Sequence, residues 1–308
     1  MRALTLIIPD LLSTLAQADE AGQALPLLRQ LSKSKSRVCE PYTDEPTAFY
    51  RWLGESGDLP RAELWAHHYQ LPPAQSWLIA EPIECQADSH QIYCLGSAHL
   101  DITQTEANQF VDTLNQHLIP AGMRLYAPEP SRWLLSLSEP LKVQTQSLNT
   151  VVNRAISHTP SLFTELQMLL HKHPVNLQRE ISGKPLVHAC WLSGQGKLPV
   201  MKKSPTVGVV TEDPLTRVLA AWIDAQICQS LNNLESTIIE YADAFSEMVI
   251  CLSAQHHAIA LEQNDMKALL TEQWGKRLQQ MQVYGGENLC YDAPRQWVKK
   301  KLPFLWNT

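Results

Sequence analysis

The chain has 308 residues, enough to bury one large α/β core or two smaller ones, and its 44% hydrophobic and 18% charged content is that of an ordinary globular protein. That balance excludes a disordered chain and a membrane-spanning one. A formal net charge of -6 offers no general attraction to nucleic acid, although Lys299, Lys300 and Lys301 make a local basic run.

The first element in chain order is ALTLIIP, an almost continuous apolar run of the kind that forms a strand buried on both faces. Pro9 and Asp10 interrupt it well short of the ~20 residues of a membrane span. No small-residue cleavage site accompanies it, so the start reads as cytoplasmic. The carboxylate-rich CEPYTDEP, with proline near both ends, reads as an exposed loop rather than an acid–base pair. RAELWAHHYQL is helix-like, and its adjacent His67 and His68 project to different faces, a poor arrangement for holding one ion.

SWLIAEPIE, HQIYCLG and RWLLSLS are strand candidates. Between the last two, TQTEANQFVDTLNQHL has helical spacing, with Thr103 or Thr105 placed to cap it and Glu106 completing a Thr-x-x-Glu box with Thr103. Residues 77–140 therefore read as a small α+β insertion into an α/β core made of 1–76 and 141–308. In the second half SLFTELQMLLHK reads as helix, PLVHACWL and PTVGVV as strands, DPLTRVLAAWIDAQICQSL as helix, EMVICLS as strand and NDMKALLTEQWGKRLQQM as helix. This alternation predicts a wound, mainly parallel sheet. LTLIIP is expected at its centre, with PLVHACWL and VGVVT in the same sheet.

The seven cysteines form no CxxC pair and no regular ladder. They read as reduced thiols packed as small hydrophobes in a cytosolic protein. No GxSxG elbow, GxxxxGK[ST] loop, HExxH helix or GxGxxG fingerprint is present. The nine tryptophans are scattered and serve as core and interface anchors rather than stacking platforms.

The densest chemistry lies in HPVNLQREISGKPLVHACWLSGQGKLP, residues 173–199. Pro174 ends the helix before it. Asn176 and Arg179, three residues apart, share a face of the turn that follows. Gly183 is the stop, and the strand from Leu186 to Leu192 runs into Ser193, Gly194, Gln195, Gly196 and Lys197. Ligands in open α/β sheets collect beyond the carboxyl ends of strands, where glycine admits the backbone and a basic side chain pairs with an anion. Asn176, Arg179, Gly194, Gln195, Gly196 and Lys197 are thus a candidate anion site. The alternative is that Asn176 and Arg179 tie the loop down structurally.

This block resembles the archaeal-type cofactor-independent phosphoglycerate mutases of the alkaline phosphatase superfamily. That family carries Asn-x-x-Arg, then Gly-Lys-x-Pro, then a strand ending Trp-x-Trp-Gly-Gln-Gly. Asn176, Arg179, Gly183, Lys184, Pro185, Trp191, Gly194, Gln195 and Gly196 match it, while His188 and Ser193 depart from it. VGVVTEDPLTRVLAAW, LPLLRQLSKS and FYRWLG are similar to further family segments. The chain is more similar still to a shorter bacterial branch described as regulatory proteins of the pathogenicity-factor type, which shares an aromatic and basic tail like RQWVKKKLPFLWNT. The resemblance implies an alkaline-phosphatase-like wound sheet.

It also implies a serine nucleophile between two divalent ions, Mn or Zn, held by clustered carboxylates and imidazoles. Asp10 stands in the place of the first metal-binding aspartate and is the one candidate catalytic residue, but Leu11 and Leu12 follow it. Counting back from Leu53-Gly54, the nucleophile position falls near Glu45, with only Thr43 and Thr47 close by. His256 and His257 join Asp10 as candidate metal ligands, yet no carboxylate lies beside them. The two-metal centre is therefore expected to be lost, and no cofactor is expected. The reading is a degenerate mutase-like protein with a regulatory or sensing role toward a phosphorylated or carboxylated metabolite. An active metal-dependent mutase or phosphatase is the rival reading. A third is a module that docks a protein partner through residues 295–308.

Overall fold

The apolar run at the start forms β1 (Ala3–Ile8), whose residues from Leu4 to Ile8 are all buried. The computed structural model describes residues 3–9, 36–38, 42, 44–87, 91–141, 146–156, 159–200, 203–229, 240–241, 243–251, 280–285 and 289–292. Two compact units divide the chain: Met1–Gly57 with Val200–Thr308, and Asp58–Pro199.

In the first unit β1 is the middle strand of a seven-stranded sheet. Its companions are β2 (Ser36–Val38), β8 (Val207–Val210), β9 (Gln226–Cys228), β10 (Glu247–Cys251), β11 (Gln280–Gly285) and β12 (Leu289–Asp292). The order is β2-β12-β11-β1-β10-β8-β9. β11, β1, β10, β8 and β9 pair in parallel, and only the pairs made by β12 are antiparallel. This is the mainly parallel α/β sheet that the alternation of elements predicts. Helix α1 (Glu45–Trp52) lies against β1 and against the later helix α6 (Pro214–Trp222).

The helix expected from Asp213 to Leu231 stops at Trp222. Asp224 takes a left-handed φ of 58°, and Gln226–Cys228 then adds to β8 as the edge strand β9. NDMKALLTEQWGKRLQQM lies outside the described residues, as does the carboxy-terminal segment 295–308.

The second unit is built on an antiparallel sheet. The long strand β3 (Ser76–Ala87) pairs along its first half with β6 (Arg132–Leu137) and along its second half with β4 (Ile92–Gly96), while β5 (Met123–Glu129) pairs with β6. Strand β7 (Ala189–Ser193) also pairs with β3, antiparallel, and corrects the expectation that PLVHACWL would lie in the sheet of LTLIIP. An apolar run buried on both faces has the same composition in either sheet, so sequence pattern alone did not assign it. With α2 (Arg61–His68) and residues 146–156 and 159–199 belonging with this sheet, the unit Asp58–Pro199 runs past 77–140 at both ends.

Its core lies between the sheet and α3 (Gln104–Leu118) with α4 (Ser161–His171). The capping box is present: the Thr103 hydroxyl accepts from the Glu106 amide, and the Glu106 carboxylate accepts from the Thr103 amide at 2.8 Å. Ala107, Phe110, Val111, Leu114 and Leu118 form the buried stripe of α3.

Helix α5 (Pro174–Ile181) begins at Pro174, where the missing amide costs nothing. His173 caps it, its Nδ1 accepting from the Val175 amide at 3.2 Å, with its ring 4.5 Å from that of Phe110. Burial, offset in part by a backbone contact at Gln109, holds the His173 pKa below its ordinary 6.5. The folded state thus favours neutral His173. Its contribution to stability is complete above pH 6.5 and is lost as pH falls through that value toward the folded pKa. Burial likewise lowers His188, with the Glu84 carboxylate opposing. Replacing His173 by Asn keeps a capping acceptor, so denaturation curves of this variant should lose less stability between pH 7 and pH 5 than wild type, with His188 supplying the remaining slope.

Candidate functional site

Ligand sites of parallel α/β sheets form beyond the carboxyl ends of the strands, and in the first unit that edge carries a cluster of buried polar groups. Cys251 closes β10 level with Ile7 of β1, and Thr211 follows β8 directly. Glu45 is the first residue of α1, placed there because the Asp44 side chain caps the helix. Asp44 accepts from the Thr47 amide at 3.1 Å and from the Thr47 hydroxyl at 2.6 Å. Pro46 follows in the first turn, where proline is tolerated.

Glu45 is only 5% exposed, and Tyr42 is buried as well, so the described residues of CEPYTDEP, 42 and 44–46, are not the exposed loop that polarity suggested. Helix-start chemistry marks a helix here rather than a loop, with Asp44 as cap, Pro46 in the first turn and Thr47 three residues after the cap, although it does not record the burial. The buried Thr211 hydroxyl donates to Glu45 Oε1 and accepts from the Asp213 amide at 3.0 Å. Asp213 Oδ1 caps α6 by accepting from the Thr216 amide at 2.7 Å. Glu45 Oε2 meets no donor at hydrogen-bond geometry; the Thr216 hydroxyl and the Cys251 thiol are the polar groups beside it.

Burial raises the Glu45 pKa above its ordinary 4.5. Asp213 adds to the rise, and the Thr211 hydroxyl opposes it. Burial and the neighbouring Glu45 hold the Cys251 thiol well above 9. The cluster therefore favours neutral, hydrogen-bonded groups, and neither the carboxyl nor the thiol is poised as an anionic nucleophile.

Two bound divalent ions require several converging anionic or imidazole ligands. Among the described residues no group of three or more His, Cys, Asp or Glu is placed to hold an ion. Asp213 spends Oδ1 on its helix cap, and the described residues do not by themselves fit a two-metal centre. Asp10, His256 and His257 lie outside the described residues. His67 and His68 end α2 and are exposed.

The block from Asn176 to Lys197 belongs to the second unit. Asn176 and Arg179 share the buried face of α5. Asn176 Nδ2 donates to the carbonyls of Leu170 at 2.8 Å and Val187 at 2.7 Å, and its Oδ1 accepts from the Val187 amide at 3.0 Å. The side chain thereby ties the last turn of α4, at a carbonyl that also accepts from the His173 amide, to the lead into β7. Arg179 is 1% exposed, and every guanidinium nitrogen bonds within the fold. Nε donates to the Pro185 carbonyl at 2.7 Å, Nη1 to Glu106 Oε1 at 2.8 Å and Nη2 to the Leu100 carbonyl.

Burial pushes the Glu106 pKa up, but bonds from the Thr103 amide and hydroxyl and from Arg179 outweigh it and hold the carboxyl below 4.5. Arg179 and Asn176 are thus occupied as a frame and are not brought to the glycine loop. Gly194 takes a φ of +71°, and its carbonyl accepts from the Ala62 amide at 3.1 Å. A Cβ on Gly196 would stand 2.9 Å from Pro60. Both glycines therefore answer to close packing against the start of α2. Of the loop's polar side chains, Lys197 is exposed and Gln195 has its Oε1 buried without a partner.

No protein family model and no curated protein matches the chain in sequence. Among solved structures, the PH0037 protein from Pyrococcus horikoshii aligns with a TM-score of 0.55 at 12% identity, over 95% of this chain and 88% of its own. A cofactor-independent phosphoglycerate mutase from Thermoplasma acidophilum DSM 1728 aligns with a TM-score of 0.48 at 13% identity, over 95% of this chain and 89% of its own. The Pyrococcus likeness shows a shared fold. No described helix is long and apolar enough to cross a membrane.

Two substitutions separate frame from chemistry. Arg179→Ala strands Glu106 and two carbonyls and should cost ~3–5 kcal/mol in denaturant unfolding with no ligand present. Arg179→Lys should recover little, because a point charge cannot serve three diverging acceptors. At the sheet edge, a raised folded pKa means that the Glu45 contribution is complete below pH 4.5 and lost as pH rises through the folded value. Glu45→Gln should therefore melt at or above the wild-type temperature at neutral pH, with the difference shrinking toward pH 4.5.

Proposed function

We propose that this chain is a degenerate phosphoglycerate-mutase-like protein of the alkaline phosphatase superfamily, without phosphoryl-transfer activity, that acts in regulation or metabolite sensing. The sequence resemblance of residues 176–196 and the parallel α/β sheet support the assignment. The observation that carries the loss of catalysis is Glu45. Near the place where the resemblance expects a serine alkoxide between two cations stands a buried carboxyl whose pKa is raised. A carboxyl whose environment favours its neutral form is disfavoured both as a nucleophile and as a metal ligand. The nearby hydroxyl of Thr211 is committed as a donor to Glu45, and that of Thr47 to Asp44.

Sensing of a phosphorylated or carboxylated metabolite falls to the Gly194–Lys197 loop rather than to Arg179. There Lys197 offers an exposed charge, and glycine backbone lies on either side of Gln195. The test combines turnover with melting. Purified protein supplied with Mn or Zn should convert neither 2- nor 3-phosphoglycerate and should hydrolyse no aryl phosphate above a no-protein control. 3-Phosphoglycerate should raise the melting temperature in a salt-sensitive manner, and Lys197→Ala should remove that rise. Metal-dependent turnover that disappears in Asp10→Asn would overturn the reading in favour of an active mutase or phosphatase.

A further inference from the structure

Two cysteines face each other across adjacent strands of the second unit. Cys85 on β3 and Cys94 on β4 are direct register partners. The Cys94 amide donates to the Arg154 carbonyl at 3.1 Å, and its carbonyl accepts from the Asn153 amide at 2.7 Å. The Cys85 amide donates away from β4, to His188 Nδ1 at 3.3 Å. These bonds mark the pair as a non-hydrogen-bonded site of the antiparallel ladder, beside the register shift between Glu84 and Cys85; at regular sites of that kind Cα atoms stand about 4.5 Å apart and side chains approach most closely. That separation falls within the ~4.4–6.8 Å that a disulfide spans.

Cys94 belongs to the apolar cluster of Ile83, Val151, Phe163 and Trp191, and Cys85 packs against the same cluster, so both side chains lie on one face of the sheet. Cys94 is fully buried and Cys85 half-buried, which leaves one thiol open to a small reagent and the other behind it. The remaining described cysteines, Cys190, Cys228, Cys251 and Cys290, are buried, and none has a cysteine as its strand partner.

We propose that Cys85 and Cys94 form a cross-strand redox pair that closes to a disulfide on exchange with a small-molecule disulfide such as oxidised glutathione. Cys85 loses its proton and its thiolate attacks one glutathione sulfur, breaking that S–S bond and expelling one glutathione thiolate, which takes up a proton. Cys94 then loses its proton and attacks Cys85 Sγ, forming the intrachain bond and expelling the second glutathione. Two protein thiols are oxidised, and one small disulfide is reduced to two thiols. Burial, with Cys94 and Glu84 adding to it, pushes the Cys85 thiol up to about 12, so the first attack is slow at neutral pH and limits the rate. The closed bond would pin β4 to β3, the strand that also carries β6 and β7.

The test is non-reducing peptide mapping of the folded full-length protein after incubation with oxidised glutathione. The expected product is one peptide linking Cys85 to Cys94, lighter by two hydrogen atoms and restored by dithiothreitol. Cys94→Ala should instead hold glutathione stably on Cys85, and Cys85→Ala should take up none at Cys94. Hydrogen exchange at β4 should slow in the oxidised wild type. A wild-type protein that keeps glutathione on Cys85 without forming the link, or that stays unmodified at Cys85, would overturn the proposal. So would one that cross-links other cysteines first. These wild-type outcomes need no variant to fold.

Discussion

A single buried guanidinium sets the geometry of the second unit. A positive charge removed from water is tolerated only where acceptors meet it, and Arg179 finds three from separate parts of the chain. These are the Glu106 carboxylate in the first turn of α3, the Leu100 carbonyl between β4 and that helix, and the Pro185 carbonyl on the way to β7. Glu106 serves twice, since it also closes the capping box with Thr103. The start of α3, the body of α5 and the entry to β7 are therefore fixed by one network. Its members fail together, because loss of any acceptor leaves charge or a carbonyl buried without a partner. Asn176, one turn earlier on the same face of α5, extends the network to the end of α4.

The first unit manages its polar groups in the opposite manner. Its central strands β1, β8 and β10 are mostly apolar, and buried polar side chains gather where they end. At such an edge a protein either keeps charges for a ligand or neutralises them. Here Glu45 and Cys251 are both pushed toward their neutral forms by burial and by the nearness of Asp213. Helix α1 favours an anion at its start, while the desolvation of Glu45 works in the opposite direction.

Element identity was legible wherever periodicity was strong. β1, β8 and β10, helix α3 with its Thr103 cap, and the break at Pro174 all follow from pattern and capping chemistry. Sheet membership was less legible. PLVHACWL is apolar on both faces whether it sits inside a parallel sheet or, as found, beside β3 under α4. The strand β9 was hidden because IDAQIC continues the apolar spacing of α6, and only the left-handed Asp224 ends the helix there. Glu45 was hidden for another reason. Polarity predicts exposure on average, but a carboxyl at a helix start can be carried inward when its helix packs on the sheet, and no local pattern records that packing.

The residues that carry the family resemblance can now be weighed by what they touch. Asn176 and Arg179 spend their polar atoms on backbone carbonyls, an amide and Glu106. Gly194 supplies a left-handed turn, and Gly196 lets Pro60 approach more closely than any Cβ would allow. Each is accounted for by folding alone, so the shared motif describes a frame, and a frame is compatible with catalysis and with its loss alike. Function is read instead from groups the fold does not need, and at the sheet edge Glu45 is such a group, its Oε2 without a donor at hydrogen-bond geometry although the Thr216 hydroxyl and Cys251 thiol stand beside it. Burying a carboxyl oxygen without a donor is a standing cost that hydrogen bonding to Oε1 does not remove. Burial raises the Glu45 pKa, and the shift toward the neutral carboxyl reduces that cost, with the Thr211 hydroxyl opposing the rise through Oε1.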